Sequence, residues 1–288
     1  MITPETKPKV LEALAQKRSM FSGSDSKFAI SIGIDPAQYN RIKNGETDKV
    51  LSAANWISIA RQLQFNFKGE TPWQVASTPV FQTITAILTQ CQKSNIHSII
   101  CDDADIGKTF TARVYVKSNK NAVLIDCSQV KSKQKLVRSI AKEFGVGHTG
   151  KYNDVYGDLV YYLRSIANPL IILDEAGDLN YDARLELKAL WNATEDSCGW
   201  IQMGADGLKE LWNRGINNKK VGFTELFSRY GKKYQRITPE GREEKIRFTK
   251  TQAALIIKAN APSADIQKML VKTDGSLRRI KTEISKLN

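Results

Sequence analysis

The sequence predicts an α/β protein built on a parallel five-stranded sheet with helices on both faces, and three observations carry that prediction. Short apolar runs alternate with helical patterns from about residue 97 to residue 237. One run, Ile99-Ile100-Cys101, leads directly into Asp102-Asp103-Ala104-Asp105-Ile106-Gly107-Lys108-Thr109 and then a helical pattern. A second, Leu170-Ile171-Ile172-Leu173, ends in Asp174-Glu175 and has the unbroken apolar character of a strand buried on both faces.

Taken in order, the elements expected are a helix over 80–93, strand 97–101, helix 108–118, strand 122–127 and helices 131–144 and 153–166. Strand 170–174, helix 182–194, strand 199–204 and helix 206–213 follow, and a last strand near Tyr234-Gln235-Arg236-Ile237 completes five. After Pro239 the pattern turns wholly helical, around 249–259, 263–271 and 276–287. Upstream, 69–79 carries Pro72 and Pro79 among polar residues and reads as a linker. The domain scheme is therefore 1–68, linker 69–79, core 80–238 and a helical lid 239–288.

The strand entering Gly107-Lys108-Thr109 has the form of a phosphate-binding loop. Such a loop needs backbone N–H groups aimed at phosphate, a lysine for the outer phosphates and a hydroxyl for Mg²⁺. Asp105, Ile106, Gly107, Lys108, Thr109 and Phe110 are the candidate nucleotide-binding residues, aided by the helix dipole that opens at Lys108. Asp174 at its strand end would hold Mg²⁺ together with Thr109, and Glu175 would orient and deprotonate the attacking water. ATP and Mg²⁺ are thus the expected cofactors.

The loop departs from the pattern in that Asp102 replaces its first glycine, while Asp103 and Asp105 add two more carboxylates. A carboxylate about 4 Å from a phosphate charge costs roughly 4 kcal/mol at an effective dielectric of 20. These side chains must therefore point away from bound phosphates, or nucleotide affinity suffers.

A balance of 43 Lys+Arg against 30 Asp+Glu, net +13, points to a polyanionic partner, with nucleic acid first. Cys91, Cys101, Cys127 and Cys198 show no metal-ligand spacing and are expected as buried thiols. Neither His97 nor His148 has a second ligand beside it in sequence. With no apolar signal region and no run of transmembrane length, a cytoplasmic location without membrane contact is expected.

Within the first block, residues 26–45 read as helix, tight turn at Gly33, second helix and a stop at Asn44-Gly45. Phe28, Ala29 and Ile32 are expected to pack against Ala37 and Ile42. The pattern resembles a repressor-type helix-turn-helix. That resemblance makes Gln38, Tyr39, Asn40, Arg41 and Lys43 the exposed candidates for DNA contact. The alternative is a helical docking module with a solvated polar face.

Several motifs occur in collinear order: the helix-turn-helix, the phosphate loop, Asp174-Glu175, Met203-Gly204, Leu226-Phe227-Ser228-Arg229 and Gly275-Ser276-Leu277-Arg278. Together they resemble the phage Mu transposition protein B family of AAA+ ATPases. The resemblance implies an AAA+ core and slow, DNA-stimulated ATP hydrolysis. It also implies self-association into a helical filament on double-stranded DNA and delivery of that DNA to a transposase. A bacterial cytoplasm and a phage or mobile-element origin are implied too.

By the same resemblance Arg229 is the arginine finger for a neighbouring subunit and Arg278 a lid arginine that contacts phosphate. Related ATPases touch DNA with the segment after the second strand, which makes Ser128, Lys131, Lys133 and Lys135 candidates. Lys219, Lys220, Lys232 and Lys233 form a second basic cluster. Each of these cations has the alternative of an ordinary surface ion pair. The family's polar residue after Met-Gly is replaced by Ala205, with Asp206 in reach only if the strand runs one residue longer. Two alternative functions stay open: a helicase loader or remodeller, and a non-hydrolysing DNA-binding regulator.

Overall fold

The computed structural model describes residues 3, 5–21, 23–63, 65 and 73–287. Four helices come first: α1 (Thr6–Ser19), α2 (Asp25–Ser31), α3 (Pro36–Lys43) and α4 (Ala53–Gln62). Side chains start three of them. Ser24 accepts from the Lys27 N–H and Ser52 from the Asn55 N–H, while Asp35 accepts from Ala37 and Gln38 with Pro36 in the first turn. Gly33, at φ +70, makes the tight turn between α2 and α3 that the sequence marks.

Phe28, Ala29, Ile32, Ile42, Trp56 and Ile59 close a hydrophobic core among these helices. Two expectations are corrected here. Ala37 is exposed, and Tyr39, taken as an exposed DNA candidate, is 3% exposed with its ring 5.3 Å from Phe28. At i+3 from Pro36 and i−3 from Ile42, the tyrosine lies on the face turned toward α2, and its large apolar ring packs there against Phe28.

Residues 69–72 of the expected linker lie outside the described residues. Its remainder is bound: Gln74 exchanges hydrogen bonds with the Asn260 side chain at 2.8 and 3.1 Å. Then come α5 (Pro79–Ser94), β1 (His97–Cys101), α6 (Lys108–Ser118), β2 (Ala122–Asp126), α7 (Lys133–Glu143), α8 (Tyr152–Ser165) and β3 (Leu170–Asp174). A short 3-10 turn over Ala176–Asp178 precedes α9 (Tyr181–Ala193), β4 (Gly199–Gly204), α10 (Asp206–Asn217), α11 (Phe223–Arg229) and β5 (Tyr234–Gln235).

The strands form one parallel sheet in the order β2-β3-β4-β1-β5. Because all strands run the same way, the carboxyl ends of β1, β3 and β4 open on one edge, where ligands bind in such sheets. Two apolar clusters cover its faces. Val137, Ile140, Leu159, Leu187 and Trp212 pack one, and Val80, Ile84, Leu88 and Ala112 the other.

The chain closes with α12 (Arg242–Asn260), α13 (Ile266–Thr273) and α14 (Leu277–Ile284), packed through Ala253, Ile257, Leu270 and Ile280. Helix α12 begins seven residues before the expected 249. Its first turns are almost wholly polar, which hides them from apolar periodicity. No helix among the described residues is long and apolar enough to cross a membrane. All four cysteines are buried and unpaired.

Candidate nucleotide site

The loop between β1 and α6 is turned by Asp105 at φ +62 and Gly107 at φ +99, and Gly107 stands as the first residue before α6. Lys108 is buried, and its ammonium donates to the Asp102 carbonyl at 2.8 Å and the Asp103 carbonyl at 2.6 Å. The ammonium therefore folds back over the loop. Burial lowers the Lys108 pKa, opposed by the negative charges of Asp102, Glu175, Asp174 and Asp103. The structure thus brings the carboxylates at the end of β3 into the electrostatic field of the loop lysine.

Each of the three unexpected loop acids is engaged. Asp102 is fully buried, with Oδ2 accepting from the N–H groups of Ile237 at 2.7 Å and Thr238 at 2.9 Å, and Oδ1 from Asp103 at 2.7 Å. Its carboxylate is turned beneath the end of β5. Asp103 pairs with Lys245 of α12 at 2.6 Å and with Arg236 at 3.2 Å. Asp105 accepts from the Ser276 hydroxyl at 2.7 Å and the Arg278 N–H at 3.1 Å, with the Arg278 guanidinium 3.7 Å away. Asp102 supports β5, whereas Asp103 and Asp105 fasten the loop to α12 and α14.

Asp174 is buried and accepts from the Glu175 N–H at 3.1 Å, which fixes its orientation. Glu175 is exposed at φ +49 and turns the chain out of β3. Partial burial, and then the neighbouring Asp174 charge, raise its pKa, the direction that makes a carboxylate a better base. The following turn is held by Arg184 on α9, which is nearly fully buried and donates to the carbonyls of Ala176 at 2.9 Å and Gly177 at 3.0 Å. Sequence reading had no signal for this residue, since an arginine on a helix face reads as solvated.

Thr109 and Phe110 open α6 beside the loop. Against Ile106 and Gly107 lies a mostly apolar cavity of about 240 Å³, walled by Trp73, Thr78, Phe81, Phe110, Ile256 and Leu277. A larger cavity of about 460 Å³ lies between α1, α4 and α6 and contains none of the expected site residues.

Beyond β4 the strand ends at Gly204, so the longer strand that would bring Asp206 into play is not formed; Asp206 starts α10 and faces Arg236 at 3.7 Å. Arg229 ends α11 with its guanidinium 5.1 Å from the Trp191 ring and hydrogen-bonded to Asn192. Arg229 thus rests on α9, apart from its own phosphate loop. Arg278, in contrast, is 82% exposed in its side chain and stands at that loop.

Among the DNA candidates, Asn40, Arg41 and Lys43 are exposed and Gln38 half-buried. Arg41 pairs with Glu46 at 2.8 Å, Lys43 with Asp25 at 2.7 Å, and the Gln38 amide donates to the Val50 carbonyl at 3.1 Å. Ser128 donates its hydroxyl to Asp126 at 2.6 Å. Lys131 and Lys133 pair with Asp178 and Glu186, each at 3.5 Å, and Lys135 is exposed.

An AAA domain family model matches residues 104–212, the stretch from the phosphate loop to α10. Residues 104–212 thus match an AAA domain, and the chain is similar to the phage target DNA activators. The "ATP-dependent target DNA activator B" of Escherichia phage Mu is 26% identical over 159 residues, as is its namesake from phage D108. The aligned region covers 53% of this chain and 49% of each relative, so the match spans about half of their length. Among solved structures, the Aeropyrum pernix ORC1 protein in complex with DNA is similar at 13% identity and a TM-score of 0.47, over 77% of this chain and 68% of that one.

Proposed function

We propose that this AAA+ protein binds ATP with Mg²⁺, assembles on double-stranded DNA while ATP is bound, and presents that DNA to a transposase. The carrying observation is the meeting of Lys108, Asp174, Glu175 and Arg278 at one sheet edge, beside an apolar cavity fit for a nucleobase. Thr109 and Asp174 would hold Mg²⁺, which neutralises charge on the transferring phosphoryl group. The loop N–H groups and Lys108 would take the phosphates, with Trp73, Phe81 and Phe110 around the base. Glu175 would take the proton of the attacking water. Arg229, held on Trp191 and Asn192, would reach a neighbouring copy's nucleotide, and that is the reason assembly and hydrolysis are coupled. Hydrolysis is slow and DNA-stimulated on this reading, because Ala205 supplies no polar side chain at the end of β4.

The exposed residues Asn40, Arg41 and Lys43, with Gln38, and the 128–135 segment would meet DNA. The helices over 1–68 act as a DNA-binding domain, 80–238 as the ATPase core and 239–288 as its lid. The ion pairs on Arg41, Lys43 and Lys131 are solvent-exposed, so phosphate can replace their carboxylates at small cost, whereas the partner of Lys133, Glu186, is mostly buried and also held by Tyr152.

The test is electron microscopy of the purified chain with random-sequence duplex DNA in ATP, a slowly hydrolysed analogue, ADP or no nucleotide. Filaments with triphosphate only, lost in Lys108→Ala, are the expected result. Assembly that ignores nucleotide would overturn the reading in favour of a non-hydrolysing regulator.

A further inference from the structure

The two basic clusters of the sequence, 131–135 and 219–220, lie more than eighty residues apart and meet in space around the start of α9. From one side, the Lys131 carbonyl accepts from the Asn180 N–H at 2.9 Å, and the Lys133 ammonium lies 5.2 Å from the Tyr152 ring. From the other, the Lys220 ammonium lies 4.4 Å from the Tyr181 ring, whose hydroxyl donates to the Val221 carbonyl at 3.1 Å. Two lysine–tyrosine pairs therefore flank the first turn of α9.

The charges on the two sides differ in their state. Lys131 and Lys133 are balanced by Asp178 and Glu186, and Glu225 on α11 is taken by Lys188 at 3.3 Å. Lys219 and Lys220 are exposed on the loop between α10 and α11, next to Val221, which is 66% exposed. Tyr181 and Gly222 pin that loop from beneath: Gly222 sits at φ +89 against Leu185, and Lys219 itself is at φ +51. The loop is thus short and braced, and among the described residues neither of its two lysines has an ion-pair partner.

We propose that the α10–α11 loop is a phosphate-backbone contact of duplex DNA, in which Lys219 and Lys220 extend the surface begun by Lys131, Lys133 and Lys135. This rests on the DNA-binding reading above and adds an element that reading does not contain. Ammonium groups without base-reading partners contact phosphate independently of sequence. Fixing the loop on Tyr181 lowers the entropy lost on binding. The site also ties DNA to the nucleotide edge, because α9 carries Arg184, the brace of the turn that follows Glu175.

The experiment is fluorescence anisotropy of the full chain on random-sequence duplex, with a slowly hydrolysed ATP analogue, across a fourfold rise in salt. Lys219→Asn/Lys220→Gln is compared with the parent chain and with Lys93→Gln/Lys120→Gln, which removes equal charge from the opposite, amino-terminal edge of the sheet. Asn tolerates the left-handed backbone at 219. Each phosphate contact contributes about 0.9 to the slope of log affinity against log salt. The expected result is a slope lower by about 1.8 in the loop variant, or roughly a 12-fold smaller loss across that range. The control keeps the parent slope, and nucleotide affinity stays the same in all three. An unchanged slope in the loop variant, or an equal change in the control, overturns the inference while leaving DNA binding intact. A parent chain with no DNA affinity overturns both this inference and the DNA-binding reading.

Discussion

Neutralising Asp105 is expected to tighten nucleotide binding. Its carboxylate occupies two N-terminal groups of α14, the Ser276 hydroxyl and the Arg278 N–H, and pairs with the Arg278 guanidinium at 3.7 Å. An incoming triphosphate must share the loop with that charge and compete with it for Arg278. At roughly 6 Å, two unit charges repel by about 3 kcal/mol at an effective dielectric of 20 and by under 1 kcal/mol in water. The Asp105 side chain is about one-quarter exposed and Arg278 is largely in solvent, so the water-like end of that range governs. Asp105→Asn should therefore gain up to roughly 1 kcal/mol, about a three- to fivefold lower Kd for ATP. Asn keeps an oxygen for the Arg278 N–H and accepts φ +62, so the lid contact and the melting temperature should hold. Calorimetric titration with ATP and Mg²⁺ reads the affinity, with Lys108→Ala as the non-binding reference. Equal or weaker ATP binding by a folded Asp105→Asn protein would refute the competition. Asp102→Asn offers the contrast, because that carboxylate faces three backbone N–H donors under β5 rather than the phosphates. An amide group there must turn a donor toward a donor, so stability should fall by about 2–3 kcal/mol with no gain in affinity.

Three further outcomes are expected. Glu175→Gln should bind ATP as the parent does yet lower turnover at least about a hundredfold, read by phosphate release, since a general base contributes roughly two to four orders of magnitude. Gly215→Ala should lower stability by about 1–3 kcal/mol in chemical denaturation, because its new methyl would stand 2.2 Å from the Phe223 ring and force α11 away from α10. His97, packed 4.0 Å from Trp191, has a pKa lowered to about 4 by burial and then by Arg229. Its folded pKa lies below its unfolded value near 6.5, so the unfolded chain takes up the proton first and stability is lost as pH falls from 6.5 toward 4. The loss is at most about 3 kcal/mol, and His97→Gln should flatten that part of the pH–stability curve.

The parallel sheet was legible because its strands are buried on both faces and must read as unbroken apolar runs between helical patterns. The tight loop between β1 and α6 and the place of Asp174-Glu175 at the end of β3 were legible for a similar reason: backbone geometry restricts which residues can stand there. What escaped was set by partners distant in sequence. Tyr39 reads as a polar-face residue in its own helix, and only the Phe28 ring across the turn explains its burial. The polar opening turns of α12 carry no apolar period, yet they bring Lys245 to Asp103 across more than 140 residues.

The three loop acids hold the deepest part of that lesson. As sequence they predict electrostatic conflict with a triphosphate, and the prediction is physically sound for a carboxylate aimed inward. The fold divides them. Asp102 is spent on backbone donors, where an anion is held without meeting phosphate. Asp103 and Asp105 are spent on Arg236, Lys245 and Arg278, cations from the residue after β5, from α12 and from α14. A glycine at 102 would free the loop but leave two N–H groups at the end of β5 without an acceptor. The acidic loop is therefore one unit with α12 and α14, to which it is fastened. Substitutions there should change nucleotide affinity and lid stability together for Asp103, affinity alone for Asp105→Asn, and stability alone for Asp102.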